Sequence, residues 1–190
     1  MTIRQQFLQL IYPLFKRITK LLGKGPAIIE NRENILPAVS FYSLSFISNA
    51  GEKISMNQYA GKKILIVNTA SDCGYTAQYA ELQQLQDAHA EMLAVIGFPA
   101  NDFKQQERRD DDEIAAFCKK NYGISFPLAK KSSVIKGGKQ NEIFQWLSDA
   151  DKNGWCSRAP VWNFCKYLID EKGMLIQFIA PYINPVDIRI

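Results

Sequence analysis

The 190-residue sequence has few of the side chains that hold metals or staple small folds. It contains one histidine and four cysteines, and no two cysteines stand in C-x-x-C spacing. A structural zinc site takes four cysteine or histidine ligands as a rule, so we expect no metal site. So few cysteines in so long a chain also argue against a disulfide-stapled secreted scaffold and favour free or redox-active thiols.

Acidic residues are missing from the start of the chain. Five of the 23 basic residues and none of the 19 acidic ones precede Glu30, so the rest of the chain is nearly neutral. Such a body attracts nucleic acid poorly, and we expect no nucleic-acid partner. The chain also lacks a run of about 18 apolar residues and a small-residue cleavage site after its first apolar stretch. We therefore expect a cytoplasmic protein without a transmembrane helix or a secretory signal.

The early basic residues belong to an amphipathic pattern over residues 2–23. Its apolar side chains recur at helical spacing: Ile3, Phe7, Leu10, Ile11, Leu14, Ile18, Leu21 and Leu22. Pro13 is expected to kink this helix or divide it. An apolar face opposite basic side chains is typical of a helix that lies on a membrane surface, but such a face also packs on a protein body or on a second copy. Both interpretations stay open, so peripheral membrane contact through residues 2–23 is one hypothesis.

Strands and helices alternate after this extension. Strands are predicted at 41–48, 63–67, 92–98, 164–169 and 174–179, and helices at 77–90, 110–120 and 141–148. The central β-α-β units imply parallel strands flanked by helices, and the closing hairpin adds antiparallel strands. The pattern predicts an α/β fold with a mixed central sheet. It divides the chain into a basic helical extension over 1–29, a linker over 30–40 and one domain over 41–190.

Cys73 lies in the loop between the buried strand 63–67 and the helix 77–90. Loops at the carboxyl ends of strands are where α/β folds place their sites. The dipole and the unpaired N–H groups at a helix N-terminus lower the pKa of a nearby thiol, so we expect a thiolate here. A thiolate can break the O–O bond of a peroxide. The other interpretation of Cys73 is an inert buried cysteine, and the loop alone does not decide between the two.

Further motifs accompany Cys73 in a fixed order. They are Cys73-Gly-Tyr-Thr76, Gly97-Phe-Pro-Ala-Asn-Asp-Phe103 with Gln105-Gln-Glu107, the stretch from Glu113 to Pro127, and Trp162-Asn-Phe164. In order and spacing they resemble the glutathione peroxidase family over residues 41–185. The resemblance implies a thioredoxin-like fold and an antioxidant peroxidase of the oxidative stress response that uses no cofactor.

The catalytic tetrad of the family matches Cys73, Gln106, Trp162 and Asn163. Trp162 offers one indole N–H, and the two carboxamides offer N–H₂ donors. Donors that converge on sulfur stabilise a thiolate and orient an incoming peroxide. Without the resemblance, Trp162 would be interpreted as a core residue and the two carboxamides as loop or capping residues.

Cys118 matches the resolving cysteine of the thioredoxin-dependent members. The resemblance implies that Cys73 reduces hydrogen peroxide or an organic or lipid hydroperoxide and becomes a sulfenic acid. Cys118 then forms a disulfide with it, and thioredoxin, or glutathione in other members, restores the thiols. Because Cys118 lies within a predicted helix, we expect that helix to unwind locally. The other interpretation of Cys118 is a packed helix residue.

The chain departs from the family pattern around Gln106. Ala100 stands where many members have cysteine, Lys104-Gln105 replaces a common Gly-Gly pair, and Arg108 replaces the usual proline. The loop is therefore less glycine-rich and more basic than in the family, and Gln105 competes with Gln106 for the catalytic role.

Other features bear on partners and alternatives. The segment 127–141 is too short for the insertion that builds tetramers in glutathione-using members, which favours a monomer and thioredoxin as the reductant. A thioredoxin-like redox sensor or binding module with little peroxidase turnover is the alternative function. The single histidine disfavours a copper or zinc module. A thiol–disulfide oxidoreductase is disfavoured because Thr76 stands where the second cysteine of C-x-x-C would follow Cys73.

Overall fold

The computed structural model describes residues 6, 7, 10–12, 14 and 27–190. Its strands are β1 Ile28–Glu30, β2 Ser45–Ile47, β3 Lys53–Ser55, β4 Lys63–Thr69, β5 Leu93–Pro99, β6 Lys166–Ile169 and β7 Leu175–Ile179. Its α-helices from residue 27 onward are α1 Gln78–Ala88, α2 Asp111–Tyr122, α3 Glu142–Leu147 and α4 Ala150–Asn153. Short 3-10 helices cover Phe41–Ser43, Met56–Tyr59 and Pro185–Asp187.

The main sheet has five strands in the order β1-β7-β6-β4-β5. β4 and β5 are parallel and the other neighbouring pairs are antiparallel, which confirms the predicted mixed sheet. β4 is buried from Ile64 onward because strands flank it on both sides and both of its faces are covered. Thr69 pairs with Pro99, so the carboxyl ends of β4 and β5 meet at one edge of the sheet. The loops that follow these two strands therefore lie side by side.

Alternate side chains of β4 enter two separate cores. Leu65 and Val67 pack on the face that α1 and α2 cover. Ile64 and Ile66 pack on the opposite face, which α3 covers. This alternation is the normal geometry of a strand, and it makes the domain a three-layer arrangement of helices, sheet and helices. The prediction of a central sheet flanked by helices is confirmed.

The predicted strand at 41–48 is wrong over its first half. Phe41–Ser43 forms a 3-10 helix, and β2 begins only at Ser45. The ring of Phe41 is fully buried and lies 4.9 Å from the ring of Trp146, so core packing overrides the alternating pattern. β2 pairs with β3 in an antiparallel hairpin, which forms a small sheet of its own.

Both ends of α2 have well-defined caps. The Asp110 carboxylate accepts a 2.9 Å hydrogen bond from the backbone N–H of Glu113, and the Glu113 carboxylate accepts one of 3.1 Å from the N–H of Asp110. This capping box begins the helix. Gly123 ends it with a φ of 64°, a left-handed conformation that glycine adopts at little cost. Cys118 therefore lies inside the helix, as predicted, about one turn before its end.

The predicted amphipathic helix over 2–23 lies mostly outside the described residues. The described residues within it are helical. Tyr12 is buried against the body, and its hydroxyl donates a 3.4 Å hydrogen bond to a carboxylate of α1. Phe7, Leu10 and Leu14 are 58, 80 and 61% exposed. No helix in the described part of the chain is long and apolar enough to cross a membrane.

Candidate active site

The loop after β4 holds Cys73 in a tight turn. The backbone N–H of Cys73 donates to the Thr76 hydroxyl at 3.0 Å, and that hydroxyl donates to the carbonyl of Ala70 at 2.9 Å. The N–H of Tyr75 lies 3.4 Å from the Cys73 sulfur, which accepts its hydrogen bond. The side chain of Cys73 is buried. These contacts fix the direction in which the sulfur points.

Asn68, near the end of β4, holds the Trp162-Asn163 segment beside this loop. The side-chain amide of Asn68 donates to the Trp162 carbonyl at 3.0 Å. The backbone carbonyl of Asn68 accepts a 2.6 Å bond from the N–H of Phe164. Phe164 has a φ of 68°, which is uncommon for a residue other than glycine. The ammonium of the fully buried Lys166 donates to the Phe164 carbonyl at 2.9 Å and secures this turn.

Gln106 lies in the loop after β5, beside the cysteine loop. Its backbone carbonyl accepts a 3.0 Å bond from the N–H of Asp72. Its side-chain oxygen accepts a 2.9 Å bond from the amide of Asn163. Lys104 and Gln105, the pair in place of the common glycines, both have a φ of 51° and turn the chain just before Gln106. The glutamine that contacts Asn163 is thus Gln106 and not the exposed Gln105.

The side chains of Asn163 and Trp162 lie close enough to the Cys73 sulfur to lower its pKa by hydrogen bonding, as do the backbone N–H groups of Tyr75 and Gly74. Gln106 joins this group through Asn163. The structure therefore brings together the four residues of the tetrad that the family resemblance predicts. Their catalytic roles stay a prediction.

Known proteins are similar to this chain in sequence and in fold. The family model described as Glutathione peroxidase matches residues 41–148, more than half of the chain. The chain belongs to the glutathione peroxidase family. The glutathione peroxidase homolog BsaA of Halalkalibacterium halodurans is 42% identical over 140 residues, which cover 73% of this chain and 88% of that protein. The glutathione peroxidase-like peroxiredoxin HYR1 of Saccharomyces cerevisiae is 39% identical over 146 residues, which cover 76% and 89%.

A solved structure agrees with this membership. The crystal structure of GPX1 from T. cruzi superposes with a TM-score of 0.60 at 25% identity, over 78% of this chain and 90% of that one. The predicted thioredoxin-like fold is thereby confirmed. Family and relatives together make this glutathione peroxidase family member a thiol peroxidase, an oxidoreductase of the antioxidant class.

The Cys73 thiol of this peroxidase has a pKa that differs from the sequence-based expectation. Burial raises the pKa of Cys73, and the hydrogen bonds from the loop N–H groups, Asn163 and Trp162 offset this only in part. The helix N-terminus is expected to lower the pKa of Cys73, but this effect is small. α1 begins at Gln78, five residues further on, and a helix dipole acts within about one turn. The prediction of a lowered pKa is wrong, and the resting sulfur is a thiol at neutral pH.

A buried carboxylate that the sequence does not single out joins the two loops of the candidate site. Glu107 is fully buried, and its Oε2 accepts bonds of 2.8 and 2.7 Å from the N–H and the hydroxyl of Ser71. Burial raises the pKa of Glu107, whereas the Ser71 bonds and the Arg109 charge lower it. Arg109 lies 4.0 Å from Glu107 Oε1 and 3.0 Å from Asp72 Oδ2. Glu107 thus holds its neighbour Gln106 close to the cysteine loop.

Cys118 does not belong to this group of contacts. It is buried on the core side of α2, where its thiol contacts the Tyr79 hydroxyl of α1. Burial raises the pKa of Cys118 to about 12, since the Tyr79 contact lowers it only in part. Both Cys73 and Cys118 are free thiols.

The other two cysteines of the peroxidase lie across the sheet from Cys73. Cys156 and Cys165 are buried in the core that α3 covers. Both are free thiols. In the described part of the chain, no three or more histidine, cysteine or acidic side chains are grouped so that they could hold a metal ion.

Proposed function

We propose that Cys73 is the residue of this thiol peroxidase that reacts with peroxide, and that Gln106, Trp162 and Asn163 are its catalytic partners. The convergence of the Trp162 and Asn163 donors on the sulfur supports this assignment. The sulfur attacks the distal oxygen of hydrogen peroxide or of an organic or lipid hydroperoxide. The S–O bond forms as the O–O bond breaks, and Cys73 becomes a sulfenic acid. The thiol proton ends on the water or alcohol that is released.

The donors favour this step because negative charge moves through the reacting atoms. As the thiol proton leaves, charge develops on sulfur, where the indole and amide N–H groups already point. Groups positioned before the reaction stabilise this charge without reorganising during it. Glu107 contributes indirectly, because its bonds to Ser71 hold the Gln106 loop in place.

Cys118 then acts as the resolving cysteine. Its sulfur attacks that of the Cys73 sulfenic acid, a disulfide forms and water is released. The bond requires the two Cα atoms to approach within about 7 Å, so α2 has to unwind around Cys118. Leaving the core also activates the nucleophile, because burial is the main cause of its raised pKa. The resolving thiol is thus unreactive until the helix opens.

Thioredoxin serves as the reductant, and the protein acts as a monomer. Exchange with an external dithiol breaks the Cys73–Cys118 disulfide, restores both thiols and leaves the reductant oxidised. Two features support this choice over glutathione: Cys118 supplies an internal partner for the sulfenic acid, and the segment 127–141 lacks room for the tetramer-building insertion.

Steady-state turnover of hydrogen peroxide with thioredoxin or with glutathione tests these roles. Cys73→Ser is expected to lose turnover with both reductants. Cys118→Ser is expected to lose thioredoxin-driven turnover but still to consume one equivalent of peroxide. Cys165→Ser, buried across the sheet, is the matched control and keeps its turnover. Full turnover by Cys73→Ser, or thioredoxin-driven turnover by Cys118→Ser, would contradict the assignment.

The protein is proposed to act in the cytoplasm, in peripheral contact with anionic membranes. Its four free cysteines suit a reducing compartment. Phe7, Leu10 and Leu14 follow one another at spacings of three and four and are exposed, so they form an apolar stripe. This stripe lies in a segment whose charged residues are all basic, which suits an anionic lipid surface. Such contact would bring lipid hydroperoxides to the enzyme.

A further inference from the structure

The turn before Gln106 is strained, although glycine would relieve it. Lys104 and Gln105 are consecutive non-glycine residues with a φ of 51° each. A left-handed conformation is unfavourable for a residue with a Cβ, and such strain concentrates at functional sites. The lysine at this position therefore invites a functional explanation.

The charge of Lys104 lies beside the catalytic indole. Its ammonium is 5.7 Å from the centroid of the Trp162 ring, within the range of a cation–π contact. The indole also contacts the ring of Phe103, at 5.7 Å between centroids. The same indole lowers the pKa of Cys73, so the ring lies between the influence of the cation and that of the sulfur. Lys104 is itself exposed, so its charge faces whatever approaches the site.

The carboxylates near this turn are committed elsewhere. Asp72 pairs with Arg109 at 3.0 Å, and Glu107 is buried against a serine. Asp102 accepts bonds of 2.9 and 2.7 Å from a hydroxyl and a backbone N–H of the segment after residue 132. Arg108 is exposed and donates a 3.3 Å bond to the carbonyl of the turn. Asp102 keeps its negative charge but directs both carboxylate oxygens to that segment, so the exposed charges beside the turn are those of Lys104 and Arg108, both positive.

We propose that Lys104 is a specificity-determining residue that favours hydroperoxides carrying a carboxylate over uncharged ones. The proposal rests on the role assigned to Cys73 above. While the hydroperoxide group reacts at the sulfur, a carboxylate on the far side of the substrate lies against the ammonium of Lys104. The attraction acts on substrate binding and leaves the bond-making and bond-breaking of the peroxide step unchanged.

The test compares two substrates that differ in charge. The probes are cumene hydroperoxide with a carboxylate in the para position and the methyl ester of that acid. Stopped-flow rate constants for oxidation of the full-length protein, measured without any reductant, give an acid-to-ester ratio. We expect a ratio of about three at low ionic strength, the effect of one surface ion pair, which falls towards one as salt screens it.

Variants separate the charge from the shape of the turn. Lys104→Gln keeps a strained non-glycine residue and Lys104→Gly relieves the strain, yet both are expected to bring the ratio to one. Lys172→Gln, in the turn between β6 and β7, is the charge-matched control and keeps the ratio of the parent protein. A ratio that survives in Lys104→Gln, or that only Lys104→Gly abolishes, overturns the proposal.

Hydrogen peroxide separates this proposal from the one on which it rests. A parent protein that oxidises rapidly with hydrogen peroxide but shows an acid-to-ester ratio of one contradicts the role of Lys104 alone. A parent protein whose Cys73 does not react with hydrogen peroxide contradicts the role of Cys73. Steady-state assays with glutathione are a further check, because a Lys104→Gln effect seen only there would mean that Lys104 binds the anionic reductant, against our proposal.

Discussion

The sulfur of Cys73 experiences two opposing influences. Burial disfavours its thiolate, and four converging donors favour it, with burial the larger effect. Pre-positioned donors stabilise a buried sulfur most when its proton leaves during the reaction. They then take the place of the water that solvates an exposed thiolate. We therefore expect peroxide binding and proton loss to be coupled if Cys73 is the reacting residue.

The raised pKa of Cys73 has a direct consequence for pH dependence. Below its pKa, the thiolate fraction of a thiol rises about tenfold for each pH unit. We expect the rate constant for hydrogen peroxide to rise steeply from pH 6 to pH 8 in stopped-flow measurements on the reduced protein. A rate constant that is flat over this range would mean that the thiolate is already formed at rest.

Single residues differ in how far the sequence could predict them. The grouping of Cys73, Gln106, Trp162 and Asn163 could be predicted because these residues stand in motifs. Gln106 could be separated from Gln105 only by its contact with Asn163. Glu107 and Lys166 could not be predicted as fully buried, because charged side chains are almost always exposed. The pKa of Cys73 could not be predicted either, since it depends on burial and on the distance to α1.

At the scale of the element, the end of α2 governs access to Cys118. The N–H of Gly123 bonds back to the carbonyls of Cys118 and the following residue. No atom lies within 4 Å of a Cβ added to Gly123, so an alanine there would only strain the left-handed φ. A change at this cap therefore loosens the turn that carries Cys118, the proposed resolving cysteine, without a steric clash.

Gly123→Ala is expected to lose about 1 kcal/mol of unfolding free energy. If α2 has to open for resolution, the Cys73–Cys118 disulfide forms up to about fivefold faster in this variant, the ratio that 1 kcal/mol represents. Quench-flow with mass spectrometry measures the rate after one equivalent of peroxide. Gly51→Ala is the control, because Gly51 also has a left-handed φ and open space around it but lies in the β2–β3 turn. Equal disulfide rates in the two variants would count against helix opening.

Elements with a strong pattern were predicted and the rest were not. β4, β5, α1 and α2 lie within a few residues of their predicted positions, because their apolar periodicity and caps are local signals. β1 falls in the stretch 24–40, which has no such pattern, and its three residues gain strand structure only by pairing with β7. The 3-10 helix at Phe41–Ser43 likewise depends on tertiary packing against α3.

At the scale of the whole molecule, the first residues combine both interpretations of the amphipathic pattern. Tyr12 docks on the body, whereas Phe7, Leu10 and Leu14 face outward. A docked helix can thus still present an apolar stripe to a second surface. The domain limits at 29 and 40 stay a prediction, although β1 shows that the main sheet already includes residues 28–30.

Vesicle co-sedimentation tests the proposed membrane contact. The full chain is expected to sediment with vesicles of phosphatidylcholine and phosphatidylserine, less so at high salt, and poorly with phosphatidylcholine alone. The double substitution Leu10→Glu and Leu14→Glu is expected to abolish this binding. Leu36→Glu is the control, because Leu36 is equally apolar and 74% exposed but lies outside the stripe. This variant is expected to keep its binding to the vesicles. Undiminished binding of the double variant would contradict membrane contact through this stripe.

The most direct measurement is the rate at which Cys73 itself reacts with hydrogen peroxide. Stopped-flow traces of the reduced full-length protein, with mass spectrometry of the product, assign the rate to a residue. We expect a rate constant far above that of free cysteine, abolished in Cys73→Ser, with oxygen first found on the Cys73 sulfur. A rate constant no greater than that of free cysteine, or oxidation that begins at another cysteine, would contradict the role proposed for Cys73 and favour a redox sensor or binding module.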